Sequence, residues 1–184
     1  YQWQYDTDPT AGVSWANVSD GTPAGSTYTG ATLNTFSVAG ISVAGSYNYQ
    51  CVISATGEDC ASTNSNTVTV TVVGDPTIDT QPSNPANICR GGTTTAISGL
   101  TASGGTPSLT YQWQYNNGGW ANVSNGTPSG AVYTNPTSRT TFTIGGASLI
   151  AGTFEYLCVV SASGSGCGSA NSNSIYLTVV ADPT

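Results

Sequence analysis

The chain has 184 residues, room for two domains of ordinary size, and a hydrophobic share of 38% that suits several small cores better than one large one. Only 6% of residues are charged, and a net charge of -7 with Arg90 and Arg139 as the sole cations argues against binding nucleic acid or anionic membrane surfaces. His and Lys are absent, so Ser-His-Asp, Cys-His and Ser-Lys catalysis are excluded within this chain, as are Lys-Asn isopeptide crosslinks.

In chain order, the first element is Tyr1-Gln2-Trp3-Gln4-Tyr5, which begins inside a strand. Trp15-Ala16-Asn17-Val18-Ser19 and Gly21-Thr22-Pro23 follow, then Tyr49-Gln50-Cys51-Val52, Cys60, and the alternating strand Thr67 to Val73. The junction Val73-Gly74-Asp75-Pro76-Thr77 is short and stiffened by Pro, which predicts a semi-rigid rod of domains. Past it the same series returns. Leu109-Thr110-Tyr111-Gln112-Trp113-Gln114-Tyr115 alternates apolar and polar residues as a half-buried strand does, and it repeats the opening YQWQY at an offset of 110. Asn117-Gly118 supplies positive φ for a tight hairpin into Trp120 to Val123, the copy of residues 15–18 at an offset of 105. Thr141 to Ile144 reads as a further strand, and Phe154 to Ser161 with Ser174 to Val180 as a terminal hairpin. Tyr156-Leu157-Cys158-Val159, Cys167 and Asp182-Pro183-Thr184 repeat earlier residues at an offset of 107, which sets the period. No window carries the i, i+3, i+4 apolar pattern of a helix, and no apolar run approaches the roughly 20 residues of a membrane-spanning helix.

The copies divide the chain into a partial repeat, residues 1–75, and a complete one, residues 76–184. The first lacks the counterpart of residues 77–110, which leaves a core face and a strand edge bare. Either these residues are an excerpt of a longer array, or another chain adds the missing strands. No signal peptide is visible, so whatever exports the protein is expected outside this sequence.

Seven or more short strands per hundred residues argue for a Greek-key sandwich. Trp113, then Gly152, then Tyr156-Leu157-Cys158 resemble the immunoglobulin core: a strand C Trp beside a strand F Cys, with a tyrosine corner two positions before that Cys. With Cys89-Arg90-Gly91-Gly92, the YQWQ strand and the Asn-Ser-Asn lead-in to a Thr/Val strand, the whole chain is similar to the Ig-like repeats of very large bacterial surface proteins and adhesins. That resemblance implies all-β, tandem Ig-like Greek-key β-sandwiches at a cell surface or in an extracellular filament, with neighbouring repeats of the same or an adjacent chain as partners. It departs from the immunoglobulin pattern at strand B, where Ile97-Ser98-Gly99-Leu100-Thr101 holds no Cys.

Five cysteines with no CxxC pair and no His read as an oxidising compartment rather than a metal site, with buried free thiols as the alternative. In the immunoglobulin order Cys89 and Cys167 lie at opposite ends of one sandwich, too far apart to pair. Cys89 is then expected to pair with the Cys60/Cys167 type of the following domain, an intradomain link to Cys158 being the alternative. Cys51 and Cys158 read as core thiols. Asp6, Asp8, Glu58, Asp59, Asp75, Asp79 and Asp182 read as solvated turn and cap residues. The junctions offer too few of them for calcium, so neither metal nor cofactor is expected. Asn17-Val18-Ser19 and Asn122-Val123-Ser124 are N-glycosylation sequons, read primarily as polar strand ends. Trp15 and Trp120 are expected to cover the sandwich face, or else to contact a glycan. The expected function is a non-enzymatic structural repeat; the alternative is a carbohydrate-binding or other ligand-binding module.

Overall fold

The computed structural model describes residues 1–8, 12–57 and 59–183, and within them the chain is all strand and turn, with no helix. Glu58 and Thr184 lie outside the described residues. The chain divides into two compact units, Tyr1–Gly74 and Asp75–Thr184. The first contains β1 (Gln2–Asp6), β2 (Trp15–Asn17), β3 (Thr27–Thr29), β4 (Ser37–Ala39), β5 (Gly45–Ile53), β6 (Thr63–Asn64) and β7 (Val68–Val72). The second contains β8 (Thr77–Thr80), β9 (Ile88–Cys89), β10 (Thr101–Ser103), β11 (Leu109–Asn116), β12 (Trp120–Asn122), β13 (Val132–Thr134), β14 (Thr143–Gly145), β15 (Gly152–Ala162), β16 (Ser169–Asn171) and β17 (Ile175–Val180).

The second unit is a full sandwich. One sheet runs β12-β11-β15-β17-β9, antiparallel except for the last pair, where Ile88 and Cys89 lie parallel to Val179 and Val180. The facing layer consists of β8 with β10 and β13 with β14, and the segment ahead of β10 is bridged to the β14 side from Thr93 to Gly145 and from Ile97 to Phe142. Alternation explains the packing. Leu109, Tyr111, Trp113 and Tyr115 of β11 turn inward while Gln112 and Gln114 turn out, and Trp113 stands directly opposite Cys158 of β15. Trp113 is 0% exposed, stacked on Phe142 at 4.6 Å between ring centroids. Its indole nitrogen donates to the Ser138 carbonyl at 2.9 Å, which satisfies the ring's one polar atom. Ile97 and Leu100 fill the strand B wall where an immunoglobulin would place its second cysteine. The hairpin from β11 to β12 turns at Gly118, whose φ of 78° is the left-handed conformation that glycine adopts at least cost.

The tyrosine corner expected at Tyr156 is not formed. Tyr156 sits in mid-strand, and its hydroxyl lies 3.3 Å from that of Tyr133, which donates onward to the Thr127 carbonyl at 2.8 Å. Because the Tyr133 proton is committed to a carbonyl, Tyr156 is the donor of the pair. The first unit repeats the relay, with Tyr49 against Tyr28 at 3.4 Å and Tyr28 donating to Thr22 at 2.8 Å. Burial raises the pKa of Tyr156 and Tyr49 well above the ordinary tyrosine range and pushes that of Tyr133 up to about 12.

The first unit retains β2-β1-β5 with β6 and β7, faced only by β3 and β4. Part of its core is correspondingly bare: Val68 is 53% exposed where its copy, Ile175, is 0%, although Tyr49 and Cys51 stay buried. Ser26 is an internal misfit, a buried hydroxyl without a hydrogen-bond partner among the described residues, where the second repeat has the buried Ala131.

Three outcomes are expected. Trp113→Ala destabilises the second unit by about 3–5 kcal/mol in denaturant titrations, and Trp3→Ala, half-buried at the equivalent place, costs less. Ser26→Ala is neutral or stabilising by about 1 kcal/mol, because it removes an unpaired buried group. The Tyr133 pKa, raised in the folded state above the unfolded value of 10, gives stability that is full below that pH and lost as pH climbs through about 12. Melting temperature should therefore hold to about pH 9 and fall above 10, and Tyr133→Phe should reduce the fall.

Candidate functional site

Each repeat has a pin on the paired strands β5–β6 and β15–β16. Ser172 Oγ accepts from the Cys158 amide at 2.9 Å and donates to the Asn173 carbonyl at 2.9 Å, while the Ser172 amide returns to the Cys158 carbonyl. Ser65 does the same around Cys51 and Asn66. The serine of the Asn-Ser-Asn motif thus brackets the core cysteine's backbone as the last strand changes course. The spacing was visible in the sequence; the role was not, because it depends on a partner 14 residues away.

Cys51 and Cys158 are buried free thiols, and burial pushes Cys158 up to about 11. Cys60 and Cys89 are exposed and Cys167 is half-buried. Cys89 lies beside Val180, near the Gly152 end of β15, whereas Cys167 follows the far end of that strand, beyond the Ser161–Ser169 pair. Ten residue steps of strand separate those ends by about 30 Å, far beyond the roughly 7 Å a disulfide spans. Cys158 is six steps along β15 from Gly152, about 20 Å, and its side chain belongs to the core, so Cys89 does not reach it.

Trp120 is 40% exposed. It stands opposite Asn116 in the ladder and so shares the outer face of the sheet with it, rather than covering the core. Asn116 donates to one Glu155 oxygen at 2.7 Å, and the Tyr176 hydroxyl donates to the other at 3.1 Å. Hydrogen bonds from Ser174 and Asn116 hold the Glu155 carboxyl below its ordinary value. Trp15 is half-buried and stands opposite Asp6. The sequon residues Asn17 and Asn122 are exposed, each accepting from a glutamine, Gln4 at 3.2 Å and Gln114 at 3.0 Å.

Asp6 is not a solvated turn residue. It is buried, and its Oδ1 accepts from the amides of Asp8 and Ser14, bracing the turn between β1 and β2. Asp75 accepts from the Gly168 amide at 2.8 Å, and Asp79 from the Ser103 hydroxyl at 2.8 Å. Among the described residues no three His, Cys, Asp or Glu side chains are placed to hold a metal ion.

A cavity of about 350 Å³ lies in the first unit between Trp3, Phe36, Val38, Tyr49, Val68 and Val70. Its shape is preset, for Trp3 stacks on Phe36 at 4.5 Å and 12°, matching Trp113 on Phe142 at 4.6 Å and 14°. Phe36 and Val38 were not singled out by sequence reasoning, though their offset of 106 from Phe142 and Ile144 marks them as copies.

No protein-family model and no curated protein matches the chain. Among solved structures it is similar to the protocadherin gammaB7 EC3-6 cis-dimer, at 16% identity and a TM-score of 0.40, over 85% of this chain and 38% of that one. It is also similar to the protocadherin gammaB4 extracellular domain, at 18% identity and a TM-score of 0.32, over 85% of this chain and 26% of that one. The chain therefore spans well under half the length of these neighbours. At such scores the likeness carries no function.

Under reducing, native conditions a thiol reagent such as dithionitrobenzoate should modify Cys60 and Cys89 within minutes and Cys167 more slowly. Cys51 and Cys158 should react only on unfolding; early labelling of either would show that its core is open.

Proposed function

We propose that the chain is a structural segment of tandem Ig-like repeats in an extracellular, adhesive or filament-forming surface protein, acting without catalysis. The observation that supports this reading is a core duplicated bond for bond: the stacked Trp-Phe pair, the Tyr-Tyr relay and the serine bracket recur in both units. One outer-face cluster diverges, with Glu155 and Tyr176 replaced by Asn48 and Thr69 in the first repeat, while the Gln-Asn pair beside it recurs.

Parallel pairing of β9 with β17 suits a segment under tension. The chain leaves β9 towards its N-terminus and β17 towards its C-terminus, so pulling on the two ends loads the Ile88–Val179 and Cys89–Val180 contacts in shear rather than peeling them singly. The amide of Arg90 adds a bond to the Val180 carbonyl at 3.0 Å. In such an array the exposed Cys89 is available to the Cys60/Cys167 type of a following domain.

A carbohydrate-binding module is the second reading, favoured by the exposed Trp120 on the same outer face as the Asn116-Glu155-Tyr176 cluster. Two measurements separate the readings. In single-molecule stretching, Arg90→Pro, which removes this amide donor, should lower the unfolding force of the second unit by more than its loss of about 1 kcal/mol in solution stability accounts for. On a glycan array the chain should show no specific binding; binding abolished by Trp120→Ala would replace the structural reading with the module.

A further inference from the structure

We propose that Asn117 is a site of spontaneous chemical modification, its side-chain amide passing to a carboxylate through a cyclic imide closed by the Gly118 nitrogen. The second Asn-Gly pair of the same repeat, Asn125-Gly126, is held out of this reaction by the fold.

The chemistry needs nothing but water. The Gly118 nitrogen loses its proton and attacks Cγ of Asn117. A new N–C bond forms, the Cγ–Nδ2 bond breaks, and the side-chain nitrogen departs with that proton as ammonia. Water then opens the imide at one of its two carbonyls. The product is aspartate, or the isomer whose backbone runs through the former side-chain carbonyl. Glycine in the following position matters because no Cβ crowds the attacking nitrogen.

The two pairs differ in what holds the reacting groups. Asn117 and Gly118 are exposed at the tip of the hairpin between β11 and β12. Among the described residues neither the Gly118 amide nor the Asn117 side chain makes a hydrogen bond; the tip is closed instead from the Asn117 amide to the Gly119 carbonyl at 3.1 Å. Nothing lies within 4 Å of the place that a Cβ on Gly118 would take. The side chain can therefore turn Cγ onto the neighbouring nitrogen without breaking a native contact. At Asn125 both groups are committed. The Gly126 amide donates to the Ala131 carbonyl at 2.7 Å, and Asn125 Oδ1 accepts from the Tyr133 amide at 2.8 Å. Ala131 and Tyr133 are core residues, so attack there must wait for the turn to open, and its rate falls with the fraction of time spent open.

The first repeat supports this division. Its counterpart of Asn125-Gly126 is Asp20-Gly21, and the same two bonds recur: Gly21 donates to the Ser26 carbonyl at 2.7 Å, and Asp20 Oδ1 accepts from the Tyr28 amide at 2.9 Å. The turn uses the acceptor oxygen that asparagine and aspartate share, so shielding belongs to the turn and not to the residue. At Asn117 conversion is felt differently. It adds a negative charge beside Asn116, which donates to Glu155, and the isomerised product puts an extra methylene into the loop that the Asn116–Trp120 pair closes.

The test keeps the 184-residue chain folded at mildly alkaline pH, halts the reaction in acid, and maps peptides by mass spectrometry. Asn117 should pass through a form lacking ammonia to one bearing OH in place of NH2, at a rate about tenfold or more above that at Asn125. In denaturant the two rates should draw level, since both residues precede glycine. Asn117→Gln, whose longer side chain closes the ring poorly, should abolish the signal at the hairpin and leave Asn125 as it was. Equal rates at the two positions in the folded chain overturn the proposal. So does conversion of Asn117 that is about tenfold slower in the folded chain than in denaturant, because the hairpin would then protect it. A difference between the two positions that persists in denaturant overturns the assignment of the protection to the fold.

Discussion

The cross-strand pair of Trp113 and Cys158 is the contact on which the sandwich depends. It sits where β11 and β15 share their longest ladder, and it places the largest side chain of the core between the two sheets. Everything around it is arranged to keep that ring in place: Phe142 stacks on one face, the Ser138 carbonyl takes the indole proton, and Ser172 fixes the backbone of the cysteine opposite. A ring of this size buries enough apolar area to offset the ordering of several strands, provided the opposite wall exists. In the second unit Ile97 and Leu100 provide that wall; in the first, the same ring faces a cavity.

With so few charges, the surface is held together by neutral groups. On the outer face of the first unit Gln50 donates to Gln4 and Gln4 to Asn17, a run of amides crossing three strands. Threonine pairs such as Thr153 with Thr178 add hydroxyl contacts along the ladder. Such bonds vary little with pH or salt, in contrast to surface ion pairs, which salt screens. Burial moves the tyrosine relays outside the ordinary range, so the fold responds chiefly to strong alkali.

Much of the architecture was legible because period-two alternation and a repeat near 107 residues are strong, local signals. The YQWQY strand, the Asn117-Gly118 hairpin and the terminal pair of strands all lie where those signals put them. Tyr156 was misread because spacing to a cysteine fixes a strand but not the neighbour its hydroxyl meets; that neighbour, Tyr133, comes from another sheet. Asp6 was misread for a similar reason, since a carboxylate in a turn looks solvated until the turn is seen to fold over it. The cavity's lining was only half visible. The repeat shows that residues 77–110 have no copy in the first unit, whereas the wall of Phe36 and Val38 required the strand pairing of β3 with β4.

The scarcity of cations has a consequence for proteolysis. Proteases that cut after basic residues find two addresses here, Arg90 and Arg139. The first is held by its amide against the end of β17, and the second reaches the Leu100 carbonyl with its guanidinium at 3.5 Å. An enzyme of trypsin's preference must therefore prise open a strand edge or a braced loop before it can begin, and the first repeat offers it nothing at all.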